Sequence, residues 1–449
     1  MSTVAAMAAA TPSTRDRYAD FLRVASLGGV VVGHFLMAVV LTGSGASDPP
    51  FEFSNILSFE EWTRPATWIL QVMPIFFAVG GFAHAVAWRS LRARGGGYAD
   101  FAYARISRLV RPALVFVGVW LAIGIIVDVA TDGDPHVGAV LQIAGQLLWF
   151  IGIYLIAAAL APAMLRAHER WGWRVLVVLV GLAATVDVVR LAGDVDAVKW
   201  LNFAFVWLTV HQLGFFYADG VADRVGDRRL GAILVGLGAG AFAVLVLLGP
   251  YGVAMVSYHG EVLSNLTPPT VALLAFATAQ QGALLMVRPA AQRWLTRPRV
   301  WKGVIAGGAV AMTAYLWHFT ALIAMYVVLY LTGAPTFPEP GSAQWWLWRL
   351  PLFAAFAVLV VALVAAFRFF DRPAARTTVV GPSLARGAVA AVGVVCAIWG
   401  MVGFAVVGFR GVVTGYAGSL FGVPVTAVSS AALVGLSAVL TWVAARPRA

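Results

Sequence analysis

Arg23 and His34 lie eleven positions apart in the stretch Tyr18-Ala-Asp20-Phe-Leu-Arg23-Val-Ala-Ser26-Leu-Gly-Gly-Val-Val-Val-Gly-His34. A helix advances about 100° and about 1.5 Å per residue, so eleven steps bring His34 to within about 20° of Arg23's face, about 16 Å further along the axis. Ionisable groups inside a membrane span are costly and rarely face lipid. An arginine at the mouth of a cavity and a histidine near its middle suit an anionic ligand that reaches inward from one to the other. The histidine can act as general base, taking a proton from a hydroxyl nucleophile and passing it to a leaving group.

Other groups join this pair. Asp20, three residues before Arg23, can pair with it and orient it. Arg105 and Arg108 share a helix face at i and i+3. His211 and His318 fall near mid-depth of apolar segments, where a histidine serves either acceptor binding and proton relay or packing. His84 reads as an interfacial residue beside Gly80 and Gly81. Gln146, Trp149, Gln280 and Gln281 are polar or amphipathic groups that can line a cavity. The histidines lack metal-site spacing, so no catalytic metal is expected.

Membrane helices must position these residues. Of 449 residues, 61% are hydrophobic and 11% charged, with mean hydropathy +0.86, far from a soluble domain. Apolar runs able to cross about 30 Å of hydrocarbon fall at roughly 20–42, 67–88, 108–129, 138–163, 174–193, 198–219, 230–249, 268–287, 304–332, 347–370, 386–409 and 425–444. The expected fold is an all-α polytopic bundle of about twelve transmembrane helices. Residues 15–380 form the working core. An appended pair over 381–449 carries Gly393, Gly400, Gly403, Gly408 and Gly435, small residues that suit close helix packing. Residues 1–14, uncharged and without a secretory-signal pattern, read as a disordered cytoplasmic tail. The segment 98–103 reads as a short interfacial piece, with Pro112 early in the third helix.

Charge placement gives the orientation. Arginines and lysines gather in alternate connections, around 15–17, 89–111, 166–174, 224–229, 288–302, 368–386 and 446–448. The intervening ones carry mainly Asp48, Glu52, Glu60, Glu61, Asp132, Asp134, Asp194, Asp196, Glu261 and Glu339. By the positive-inside rule both termini are cytoplasmic. The net charge of +11 is then explained by topology and anionic membrane lipids, and nucleic acid is not an expected partner. The single cysteine, Cys396, allows no intramolecular disulfide. Asn265-Leu-Thr267 matches a glycosylation sequon, but the Ala, Gly, Val and Arg bias points to a bacterial inner or plasma membrane. Trp345, Trp346 and Trp348 read as an interfacial aromatic belt.

In order and spacing, five motifs resemble those of the acyltransferase family 3 membrane proteins, over roughly residues 15–375. They are Tyr18, Asp20 and Arg23 followed by His34; Pro74-Ile-Phe-Phe-Ala-Val-Gly80-Gly81-Phe82, with Gly80 where the family has serine; Arg105, Arg108, Leu109 and Pro112; Trp149-Phe150; and Tyr315-Leu-Trp-His318. The resemblance implies transfer of an acyl group, commonly acetyl, from acyl-CoA to an envelope glycan, a glycolipid or a natural product. It implies catalytic roles for His34, Arg23 and His318, and donor binding by Arg23, Arg105 and Arg108. Asp20, Trp149, His211 and Tyr315 are expected on the substrate side. Coenzyme A phosphates resting on the arginines would leave its arm to span to His34, both lengths being of order 15–20 Å. The family core usually has ten helices, and two more follow here. The rival expectation is a secondary transporter or exporter, which often shows an internal repeat; no second copy of the Arg23 to His34 pattern is present.

Overall fold

The computed structural model describes residues 2–12, 14–41, 52–332, 338–371 and 379–446. Asp48, Arg372, Arg376 and Arg448, and parts of the loops at 43–66 and 333–346, lie outside the described residues. The helices in chain order are α1 (Ser2–Ala9), α2 (Arg17–Met37), α3 (Thr67–Leu70), α4 (Met73–Ala93), α5 (Tyr98–Thr131) and α6 (Pro135–Gln146). There follow α7 (Leu148–Trp171), α8 (Trp173–Ala192), α9 (Asn202–Ala218), α10 (Val221–Val225) and α11 (Asp227–Leu248). The last are α12 (Val271–Leu295), α13 (Pro298–Leu331), α14 (Ala343–Phe367), α15 (Leu384–Val407) and α16 (Ala427–Ala444). Among the described residues, eleven helical stretches are long and apolar enough to cross a membrane. The remaining expected span is α9, at 17 residues, the lower end of spanning lengths. The chain is a polytopic helical membrane protein.

Several boundaries differ from expectation. Within the expected structureless tail, Ser2–Ala9 forms α1, whose Val4 and Ala8 pack against a cluster including Tyr18 and Trp301. Alanine favours helix strongly, and an apolar partner supplies the rest. The segment 98–103 is no separate interfacial piece but the first turns of α5, a 34-residue helix with Pro112 in its interior. Conversely, the expected second span is broken between α3 and α4. Pro74 lacks an N–H and its ring crowds the carbonyl of residue 70, so the helix cannot run through. The freed groups are met by side chains, with Gln280 Nε2 donating to Gln71 O at 2.7 Å and Met73 N donating to Gln71 Oε1 at 3.2 Å.

Two compact units emerge. The first comprises Met1–Met37, Asn55–Ala87 and Leu160–Ala311; the second comprises Ala38–Ser54, Trp88–Ala159 and Met312–Ala449. In the first, buried Asp187 of α8 joins three elements: it accepts from Asn202 Nδ2 at 2.8 Å, Tyr251 OH at 2.9 Å and Val271 N at 2.9 Å. The connection after α11 is held by Asn265, which donates to Gly252 O and Ala254 O while accepting from Thr270 Oγ1. The sequon asparagine is thus a buried structural group, 1% exposed.

The second unit contains α15 and α16, which pack on each other and on α5. A side chain at Gly393, Gly400 or Gly403 would collide with α16, and Gly408 lies against the Gln142 backbone, whereas Gly435 faces open space. Beyond α15, Asp128 of α5 accepts from Gly411 N at 3.2 Å and Val413 N at 3.0 Å. Strands β1 (Gly418–Leu420) and β2 (Val423–Val425) form an antiparallel hairpin with Leu420 opposite Val423. Its two turn residues, Phe421 and Gly422, both have positive φ, the conformation such tight hairpins require. Trp345 is not in an exposed belt; it is 6% exposed beneath the Arg349 guanidinium, 3.7 Å from its ring.

Candidate functional site

The direction of Arg23 and His34 is set at the start of α2. Asp16 Oδ1 accepts from Ala19 N at 2.9 Å, capping the helix, and its other oxygen accepts from Tyr217 OH at 2.7 Å. Arg17 Nη1 donates to Leu295 O at 3.1 Å, and Tyr18 OH to Leu284 O at 2.7 Å. Three consecutive side chains therefore fix the rotation of α2 against α9 and α12. Asp20 holds Arg15 Nε at 2.5 Å and Arg23 Nη2 at 3.4 Å. The Arg23 side chain is 30% exposed and lies beside Gly308 of α13, where a Cβ would stand 3.5 Å from Nη2.

Further along, Gly29 and Gly33 form the packed face of α2: Cβ atoms there would meet Val72 at 3.0 Å and Leu70 at 3.7 Å. His34 is about 100° round the helix from Gly33 and about 140° from Gly29, off that packed face, and is half-buried. The helix runs unbroken from Arg17 to Met37. Arg23 and His34 therefore keep the shared face and the separation of about 16 Å that an ideal helix gives.

Arg105 and Arg108 belong to the second unit, on one continuous helix. The start of α5 is held by Asp100, which accepts from Gly97 N and Val380 N, each at 2.9 Å. Arg105 is partly buried with its guanidinium 5.6 Å from the Phe101 ring centre. Arg108 is exposed and acts electrostatically on Asp371. That aspartate accepts from Thr313 N at 2.9 Å and Thr313 Oγ1 at 2.7 Å.

The same unit holds Trp149, Tyr315 and His318. The Tyr315 hydroxyl donates to Leu147 O at 2.6 Å, satisfying a carbonyl at the junction of α6 and α7. Phe150 packs edge-on against the Tyr315 ring, and half-buried Trp149 packs against Phe150. His318 is fully buried with Nδ1 2.6 Å from Tyr315 O. A carbonyl only accepts, so Nδ1 carries the proton.

In the first unit, His211 and His84 form a pair that sequence reasoning missed. Their ring nitrogens, His84 Nδ1 and His211 Nε2, are 2.9 Å apart, and the residues are 1% and 0% exposed. His84 is therefore a core group rather than an interfacial one. The cause is a glycine crossing: a Cβ on Gly81 would run into His211 O, and one on Gly214 into Ala78 O. Nearby on α9, Gln212 Nε2 meets His168 Nδ1 at 2.7 Å, and His168 Nε2 meets Asp219 Oδ2 at 2.8 Å. The detectable signal was Gly81 on one segment and Gly214, three residues after His211, on another. Among the described residues no group of three His, Cys, Asp or Glu is placed to hold a metal ion.

Outside the spans, burial pushes the pKa of the Glu261 carboxyl above the usual carboxylate range. Burial, reinforced by the Asp187 carboxylate, likewise pushes the Tyr251 hydroxyl up. Both lie in the connection between α11 and α12.

Compared with known proteins, residues 16–371 match the family model described as Acyltransferase domain, of the acyltransferase 3 type. No curated protein and no solved structure matches the chain. The matched region holds Asp20, Arg23, His34, Arg105, Arg108, Trp149, His211, Tyr315 and His318, and ends before α15.

Proposed function

The chain belongs to the acyltransferase 3 family and is a membrane acyltransferase; from that premise we propose that it moves an acyl group, acetyl in the simplest case, from acyl-CoA to an acceptor hydroxyl. The acceptor classes are an envelope glycan, a glycolipid or a secondary metabolite, reached in a bacterial cell membrane. The observation that carries the reading is the placement of Arg23 and His34 on one face of an unbroken, firmly rotated helix within the family domain.

In this reading Arg23, steadied by Asp20, binds donor phosphate. Arginine suits this because its planar fork pairs bidentately with phosphate. His34 removes the acceptor hydroxyl proton as the oxygen attacks the thioester carbonyl. The tetrahedral intermediate then collapses, the C–S bond breaks, and His34 returns the proton to the leaving thiolate. An ester and free coenzyme A result. His318, held at Nδ1 by Tyr315 O, acts as a proton relay, and Tyr315 and Trp149 of the same unit shape its surroundings; His211 is a substrate-side group of the first unit.

The test is transfer of labelled acetyl from acetyl-CoA in membranes containing the protein. Fractionation into lipid, polymer and small-molecule pools identifies the acceptor class. Label in one pool, absent with His34→Ala at equal protein level, supports the reading. Equal labelling by both proteins contradicts it.

A further inference from the structure

Beside the first turns of α2, within the first unit, lies a cavity of about 300 Å³. Its walls include Leu22 of α2, Phe82 of α4, Leu176 of α8, and Leu230 and Leu234 of α11. Water gains little among such walls, because a buried water needs polar partners. Left empty, the cavity would forfeit the dispersion contacts of its lining. A hydrocarbon chain satisfies both conditions.

Two polar lining groups are satisfied: Tyr18 OH donates to Leu284 O and Tyr217 OH to Asp16 Oδ2. Gln281 of α12 has its Nε2 buried with no hydrogen-bond partner among the described residues. An unmatched amide donor in an apolar wall calls for an acceptor oxygen, such as an ester carbonyl, on whatever occupies the space.

Charge beside the cavity supplies the third part. Arg174 follows the lining residue Trp173, Arg224 lies just beyond Val221 and Ala222, and Arg228 and Arg229 precede Leu230; all four arginines are exposed. The acidic residues in the same stretch are engaged. Asp223 and Asp227 accept from Arg288 Nη1 at 2.7 and 2.8 Å, and Asp219 is bonded to His168. The arginines are left to meet an anionic headgroup, as basic clusters next to spans do.

We infer that this cavity is a binding site for an anionic glycerophospholipid, with one acyl chain inside, an ester carbonyl on Gln281 and the phosphate on the Arg174, Arg224, Arg228 and Arg229 rim. The inference goes beyond the transfer reaction. Leu22 and His34 are about 18 Å apart along α2, so a chain seated at Leu22 is remote from the proposed acyl-transfer point. It is a resident lipid that braces α2, not the group being transferred.

The experiment is native mass spectrometry of the full chain released from detergent, with phosphatidylglycerol and phosphatidylcholine of identical chains added in turn. Inorganic phosphate serves as competitor. Wild type should retain phosphatidylglycerol over phosphatidylcholine by on the order of tenfold, and phosphate should not displace it. Leu234→Trp, which fills the cavity, should abolish retention of either lipid. Arg228→Gln with Arg229→Gln, both exposed and safe for folding, should reduce phosphatidylglycerol to the phosphatidylcholine level. Equal retention of the two lipids by wild type, unchanged selectivity in the double arginine variant, or displacement by phosphate overturns the inference. Because no readout involves acyl transfer, its failure is separate from failure of the catalytic reading.

Discussion

His84 and His211 place ring nitrogens 2.9 Å apart where α4 and α9 cross backbone on backbone at Gly81 and Gly214. Adding a methyl group at either glycine forces the helices apart and separates the rings. Gly81→Ala and Gly214→Ala should each destabilise the protein by about 1–3 kcal/mol, read as a lowered unfolding temperature in detergent. Gly236→Ala and Gly240→Ala on α11, with nothing within 4 Å, are controls that should not lower it, since alanine favours the helix over glycine.

Asp20 touches Arg15 and Arg23 at once. Asp20→Asn removes the ionic partner while keeping the shape, so Arg23 samples more orientations. The pair is only partly shielded, and its worth is correspondingly small. KM for acyl-CoA should rise by about fivefold or less with kcat unchanged. A fall in kcat at constant KM would assign Asp20 to the chemical step instead.

Asp128 joins the family domain to the segment following α15 through two backbone donors. Asp128→Ala leaves those N–H groups without their acceptor, at a cost of about 1–3 kcal/mol. Limited proteolysis should then cut within 410–426 faster than in wild type. Arg410, whose guanidinium sits 3.5 Å from the Tyr416 ring, lies in that same stretch and should become more accessible.

Glu261 supplies a pH dependence whose sign is fixed by its environment. Its folded-state pKa is raised by burial, so the neutral acid is the form the fold favours. That contribution is fully present below the ordinary carboxylate value and is lost as pH rises through the raised folded value. Protection of the 250–267 connection from hydrogen exchange should therefore weaken across that window. Glu261→Gln should remove this dependence, since an amide oxygen can still accept from Tyr258 N.

Much of the fold was legible because membrane spans announce themselves by length and apolarity; eleven of the expected spans appear as such, and the family match at 16–371 lies within the 15–375 read from motifs. Interruptions were less legible. The expected spans 67–88 and 138–163 run straight through Gln71 and Leu147, and the breaks there depend on Pro74 and on distant partners, Gln280 and Tyr315. Pro112 misled in the opposite direction, since packing over a long buried face outweighs the loss of one helix hydrogen bond. Arg23 and His34 were legible as a pair because both sit on one helix. The His84 and His211 pair was not, because it arises from a crossing of segments more than a hundred residues apart.

Donor binding by Arg23 and proton transfer by His34, both proposed above, can be tested together. The most direct measurement is acetyl-CoA binding and slow hydrolysis by purified wild type, Arg23→Ala and His34→Ala. Wild type should bind and turn over, Arg23→Ala should bind more weakly, and His34→Ala should bind as wild type does while losing turnover by about 10²–10⁴-fold. Turnover retained by His34→Ala, or no binding by folded wild type, would contradict these roles.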